Sequence, residues 1–412
     1  MSTEYRNNHY VPQWYQKRFI PDIQENKELY YLDLKPGTFT DPRGVVHQKS
    51  AIHKQGTRLC FAEDDLYTTW FGDERQVEIE KIFFGNVDDR GRDAVKFFDE
   101  YKHFESSWDG DPLRNLMLYM STQKLRTPKG LDWLATQLGT TDRNAILNLM
   151  LQLRQIHSAI WVECIWQIAD ANESDTKFII SDHPVTIYNK FLGPRNKQWC
   201  RGSNDPDITL NASHTIFPLS LNKVLILTNL SWLRNPYQNG TKQRPNPNPL
   251  RPAMFNFQHI QTGRLLTEQE VREINFIIKS RSFKHIAAAQ EDWLYPEKFV
   301  SKSDWNSYGD GLLLMPDPRG IEFGGEMIMG WDDGRSTAFD EYGRRPWEKG
   351  YGQHAGHNEF QTHYQFKGDF AEKFGPYRRG RGISMGDIDP EFDTDSMHEY
   401  HLSLSKKNRR KK

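Results

Sequence analysis

Cysteine is close to absent: Cys60, Cys164 and Cys200 are the only three in 412 residues, and they lie far apart without CxxC spacing. That pattern excludes a disulfide framework and a cysteine-based zinc site, and it fits a reducing compartment. Long apolar runs are missing as well. No window of about 18 apolar residues occurs, and the most apolar helical stretch still carries Arg154, His157 and Glu163. The N-terminus MSTEYRNNHYVPQWYQKRF places polar and charged residues where a secretory signal needs a continuous apolar stretch. These absences lead to the expectation of a cytoplasmic chain with no membrane partner. Neither sign of charge dominates, with 54 Lys and Arg against 55 Asp and Glu, so any nucleic-acid binding must come from a local patch. No P-loop, GxGxxG or HExxH motif occurs, which removes most support from P-loop, Rossmann and zincin readings.

Large rings are what the sequence has in quantity. Its 24 Phe, 17 Tyr and 12 Trp predict an aromatic-rich core. The length exceeds the roughly 250 to 300 residues at which single cores stop growing, which suggests a globular unit over 1–300 followed by an appendage over 301–412. In that appendage periodicity is lost, 16 of the 29 glycines fall in the last 108 residues, and a basic run, Lys406 to Lys412, ends the chain. Within the first unit, Leu29 to Leu34 reads as a strand, and Glu63 to about Tyr101 reads as helical, broken into two pieces by Gly85 and Gly91. Asp111-Pro112 starts a helix whose apolar stripe is Leu113, Leu116, Met117 and Met120 and which stops before Pro128. Asp142 to about Ala171 reads as a buried central helix. Strand signals follow at Lys177–Tyr188, His214–Ser220 and Lys223–Asn229, and Thr267-Glu-Gln-Glu270 is a capping box. The fold class is therefore α+β: a helical half packed on a small antiparallel β-sheet, with an irregular Gly-rich C-terminal extension.

Several pieces in this order resemble the family catalogued as domain of unknown function 4238. They are His9-Tyr-Val-Pro-Gln13 followed by Phe19, Gln123-Lys-Leu-Arg-Thr-Pro128, Phe178-Ile-Ile-Ser-Asp-His-Pro-Val185, Phe217-Pro-Leu-Ser220 and a late helix carrying Asn275. The resemblance spans about residues 7 to 290. The family usually carries Asn where His183 stands. The resemblance implies a fold unit and motif positions, and no activity.

Chemistry has to be argued from the residues. His9 lies in an extended stretch held by Val11 and Pro12, and it suits an acid/base or metal-ligand role as well as a structural one. Gln123 continues the buried face of its helix and needs partners, while Arg126 sits at the helix end, where it can complement the dipole or reach an anion. Glu80 lies on an aromatic face at helical spacing, with Glu78 and Asp88 as competing carboxylates. Ser181-Asp182-His183-Pro184 follows an apolar strand, where Asp182 either ties the turn or serves a ligand. His354, His357 and His363 have partial metal spacing, and Arg378-Arg-Gly-Arg-Gly382 is a basic cluster.

Two functions compete. In the first, His9, Asp182 and Glu80 are catalytic and Gln123, Arg126 and Ser181 bind substrate in a nuclease-like hydrolase acting on nucleic acid or another phosphate-bearing ligand, with Mg or Mn as the cofactor such chemistry implies. That reading brings His9 to the Ser181–Pro184 turn. In the second, the chain is a non-enzymatic binding protein whose buried polar residues form a structural network.

Overall fold

A computed structural model describes residues 7–71, 74–76, 83–101, 110–196, 205–245, 260–321, 326–340, 342–352, 357–382 and 394–409. It is α+β, built on two sheets. The larger has six strands in the order Thr186–Asn189, Ser213–Pro218, Lys223–Asn229, Cys164–Asp170, Ile260–Leu265 and Arg381–Gly382. Its pairs are antiparallel except that Ile260–Leu265 runs parallel to Cys164–Asp170. The smaller has four antiparallel strands in the order Ile180–Ser181, His285–Ala288, Glu28–Asp33 and Ile52–Gly56. The sheet component is thus larger than the single small antiparallel sheet expected.

The most instructive difference concerns Cys164–Asp170, expected as the end of a central helix and found as an inner strand of the larger sheet. Only Arg143–Gln152 and the short Ser158–Val162 turn precede it as helix. The physical reason is that both faces of this strand are covered. On one side Trp166 meets Phe98 of the Gly85–Asp99 helix at 5.6 Å between ring centroids. On the other, Ile165 packs with Met315, Ile321, Tyr342, Phe366 and Phe370. A strand buried on both faces has no apolar-polar alternation, and a short apolar run then cannot be told from a buried helix by period.

Those covering residues belong to the C-terminal extension, whose described residues include regular elements. It contains an 18-residue helix, His357–Phe374, and a 15-residue helix, Asp395–Arg409. Arg319 fastens it, donating to the Gly375 carbonyl at 2.6 Å and to the Tyr377 carbonyl at 2.8 Å while paired with buried Asp317. Other expectations fare well. The Thr267/Glu270 capping box opens the Glu268–Arg281 helix, and the Ser213–Pro218 and Lys223–Asn229 strands pair as a hairpin. Gly91 does not break its helix. It lies inside Gly85–Asp99, where a Cβ would overlap the Tyr119 ring, so its lack of a side chain lets the Asp111–Arg126 helix pack closely.

The two C-terminal helices touch through Gly368, where an added Cβ would lie 2.5 Å from the Ser405 amide and 2.9 Å from the His401 carbonyl. Gly368→Ala must therefore lift the last helix. The expected cost is about 1 to 3 kcal/mol, with faster protease cleavage within 394–409 than in the unmodified chain. Unchanged cleavage and an unchanged melt would show that this contact does not seat the helix.

Candidate functional site

The site begins at the joint between two helices. Asp111–Arg126 stops because Thr127 is extended, and the Thr127 hydroxyl accepts the Gly130 amide at 3.2 Å to cap the next helix, Pro128–Leu138. A side chain on Gly130 would overlap the Lys124 and Leu125 carbonyl groups, so only glycine permits a joint this tight. Its consequence is that Lys124, from the last turn of one helix, and Lys129, from the first turn of the next, serve one space.

The facing wall is the turn where the chain crosses from the small sheet to the large one. Asp182 fixes it. Its carboxylate accepts backbone amides from Phe283, Lys284 and His285 at 2.9, 2.6 and 2.7 Å, and the Ser181 hydroxyl accepts the His183 amide at 3.2 Å. The turn is thereby fastened to the stretch joining the Glu268–Arg281 helix to the His285–Ala288 strand. His183 projects from it toward the lysines.

Four side chains then converge. Lys124 Nζ pairs with Asp205, lies 3.1 Å from His183 Nε2 and donates to the Val185 carbonyl at 3.3 Å. Lys129 Nζ donates to the other Asp205 oxygen at 2.5 Å and to the Arg281 carbonyl at 2.7 Å. His183 Nε2 is 3.2 Å from Asp205, and its Nδ1 hydrogen-bonds the Thr127 hydroxyl at 2.7 Å. All four groups line one cavity of about 360 Å³, which reaches the surface past half-buried Trp133 and exposed Gln137.

Burial, reinforced by Lys124 and Lys129, pushes the His183 ring down to about 3, so it is neutral. Burial acts to raise Asp205, but the two lysines and His183 outweigh it and hold its carboxyl well below the usual range. Burial lowers Lys129, and Asp205 offsets this in part. Lys124 and Lys129 thus share one carboxylate directly, that of Asp205, while Asp207 is a second carboxylate among the cavity's lining residues.

The residues singled out from sequence are distributed differently. Gln123 and Arg126, both buried, form a separate knot with half-buried Asp88: Arg126 donates to Asp88 at 2.7 Å and twice to the Gln123 carbonyl oxygen, at 2.7 and 2.5 Å, while Gln123 donates to the Tyr10 carbonyl at 2.7 Å. The guanidinium also lies 5.1 Å from the Phe84 ring centre. Its carboxylate partner is Asp88, one of the two competitors named beside Glu80. His9 Nε2 meets the Arg58 carbonyl at 3.1 Å, on the edge pairing of Asn7–His9 with Ala62–Asp64. Its hydrogen bonds do not run to the Asp182 turn. Asp182 is near the cavity but spends its oxygens on amides, and Ser181 is buried in the same turn.

Glu80, Glu78 and His354 lie outside the described residues, as do the side chains of His357 and of Lys406–Lys412. His363 is buried against the Ile321 carbonyl at 3.2 Å, and Arg379 of the basic cluster pairs with Glu270. Gly382-Ile-Ser-Met-Gly386 has the GxSxG spacing of a serine nucleophile, and its residues 383–386 lie outside the described residues. Among the described residues no three His, Cys, Asp or Glu side chains converge as metal ligands, and no helix is long and apolar enough to cross a membrane.

Lys124, Lys129, His157 and Asp205 were not singled out from sequence. Lys124 had a usable signal, since it lies inside Gln123-Lys-Leu-Arg-Thr-Pro128, and Lys129 follows that run directly. Asp205, in an irregular segment, had none.

A family model described as "Protein of unknown function (DUF4238)" matches residues 7–292. No curated protein and no solved structure matches the chain.

Two measurements check this geometry. Arg126→Lys keeps the charge but cannot fork between Asp88 and Gln123, so it should destabilise by about 1 to 4 kcal/mol in a thermal melt and leave ligand binding in the cavity unaltered. The second concerns acid. His157 and His183 are held near 3 in the fold against 6.5 when unfolded. The unfolded chain therefore binds more protons between these values, and their stabilising contribution, complete above about pH 6.5, is lost as pH falls toward 3. The melting temperature should drop on acidification, and His183→Gln should make the drop shallower. An equal slope in that variant would contradict the assignment.

Proposed function

The chain belongs to this DUF4238 family, and from its enclosed lysine-histidine cluster we propose that it binds a phosphorylated, ring-bearing ligand of mononucleotide size, free or at the end of a nucleic-acid strand. The observation that carries this reading is the convergence of Lys124, Lys129 and neutral His183 on one cavity, where Asp205 holds both ammonium groups in place. A phosphate group carries the complementary charge and several acceptor oxygens, which ammonium donors satisfy. The volume falls within the usual span of small-ligand sites, about 300 to 1,000 Å³. Trp133, half-buried on the way out, offers a face on which a flat base can stack.

Hydrolysis of the phosphate ester is the reaction class this arrangement serves. Water attacks phosphorus and its proton passes to the neutral His183 imidazole, the bond to the leaving oxygen breaks and that oxygen takes up a proton from solvent, and the two lysines compensate the negative charge on the phosphoryl oxygens. Asp205 holds both lysines in place before the ligand arrives. The alternative, a structural polar network, is favoured by a specific observation only for Gln123, Arg126 and Asp88, which bond to one another and to the Tyr10 carbonyl.

Calorimetric titration of the full chain with adenosine monophosphate, adenosine and a short 5′-phosphorylated oligonucleotide tests the reading, with chromatography of the mixtures for released phosphate or nucleotide. Adenosine monophosphate should bind and adenosine should not, and Lys129→Met should weaken binding by about tenfold or more, a loss of about 1.4 kcal/mol. The oligonucleotide arm separates a free nucleotide from a strand end. No binding of any phosphorylated ligand at about millimolar concentration would end this reading.

A further inference from the structure

His157 also lines the cavity, and the reaction described so far leaves it idle. Its Nδ1 hydrogen-bonds the buried Ser121 hydroxyl at 2.9 Å, and its ring stacks on Trp161 at 5.3 Å with 28° between the planes. Ser121 belongs to the Asp111–Arg126 helix, and Trp161 to the Ser158–Val162 turn that follows His157 directly. A ring held by one nitrogen and one face has one polar atom left to offer. Nε2 makes no hydrogen bond among the described residues and is not sealed inside the protein, and His157 is one of the residues that line the cavity.

His183 is held in the same manner, by its Nδ1 on the Thr127 hydroxyl at 2.7 Å. Ser121 and Thr127 come from one helix and its end, so a single element orients two imidazoles toward a shared volume. We infer that His157 is a ligand-contacting residue of this cavity, presenting Nε2 to the phosphate group as a second proton-holding position beside His183, with Ser121 as its positioning residue.

This rests on the phosphate reading given above. The charged and titratable groups around His157 are Lys124 from its neighbouring helix, His183 from the crossing turn and Asp205. Burial first, then Lys124 and His183, lowers the ring to about 3 and keeps it neutral. A bound dianion places negative charge beside the ring and raises its affinity for a proton, which comes from solvent. Ligand binding should therefore draw a proton into the site.

Three variants separate a ligand contact from a packing role. In His157→Asn the amide occupies the Nδ1 position and keeps Ser121 satisfied while nothing reaches the Nε2 position. His157→Gln reaches the Nε2 position instead. Each is titrated with adenosine monophosphate, and also with inorganic sulfate at about pH 6 and 8, because sulfate keeps its charge across this range and any pH dependence then belongs to the protein. Unmodified protein should bind sulfate more tightly at the lower pH. His157→Asn should weaken nucleotide binding about tenfold and flatten the pH dependence, His157→Gln should restore part of the affinity, and Ser121→Ala should flatten the pH dependence with a smaller loss of affinity.

Should His157→Asn fail to fold, modification of the unmodified chain by diethyl pyrocarbonate, mapped by peptide mass, decides the matter. His157 should react, and sulfate should slow that reaction several-fold. If the unmodified chain binds and His157→Asn binds equally with the same pH dependence, or if His157 reacts at the same rate with and without sulfate, the inference falls and the phosphate reading stands. If the unmodified chain binds none of these anions, both fall.

Discussion

Three backbone amides on one carboxylate hold this molecule's interior in register. Asp182 sits where the chain leaves the four-stranded sheet for the six-stranded one, and by accepting the Phe283, Lys284 and His285 amides it joins that crossing to the end of the Glu268–Arg281 helix. Asn275 secures the same strand one step earlier, accepting the Ile179 amide at 3.2 Å and donating to the Lys177 carbonyl at 2.8 Å. A buried carboxylate survives desolvation only when its oxygens are satisfied, and charge-assisted bonds to amides do this. Everything on the cavity's far wall, His183 above all, takes its position from this fastening.

The near wall depends on a different constraint, the absence of a side chain at Gly130. Because two helices meet there with the Thr127 hydroxyl as their shared cap, two lysines five positions apart in sequence end at one carboxylate. Burying such a group of charges is costly, and breaking one partner away leaves the others uncompensated. A protein that only needed to fill this volume would be served as well by apolar side chains. The charge is instead retained beside an accessible cavity, which is the arrangement that links this architecture to ligand chemistry.

The Gln123–Arg126–Asp88 knot makes the opposite case. Its donors and acceptors are directed at one another, the guanidinium is enclosed by aromatic rings, and its hydrogen bond to the Tyr10 carbonyl joins the N-terminal stretch to the second long helix. Nearby, Gln16 donates to the Val11 and Cys60 carbonyls at 2.8 and 3.1 Å, and Tyr15 donates to the Pro218 carbonyl at 2.6 Å. The residues around the His9-Tyr-Val-Pro-Gln13 run thus tie the chain's start to the core, and the charged cluster occupies the other side of the same helix end.

Local chemistry decided what could be read from sequence alone. The capping box at Thr267, the stop before Pro128, the hairpin flanking Leu219 to Asn222 and the crossing turn at Pro184 each depend on residues within a few positions of one another, and each was legible. The α+β class followed from them. What sequence could not supply was anything set by distant partners. The Cys164–Asp170 strand looked helical because its second face is covered by Met315 and Phe370, some 150 to 200 residues away. Arg126 looked available for an anion because its partner, Asp88, lies 38 positions earlier on another helix. Asp205 gave no local sign at all. Its role exists only because the fold brings Lys124, Lys129 and His183 to it, and electrostatic complementarity of that kind is a property of distances in space rather than of spacing along the chain.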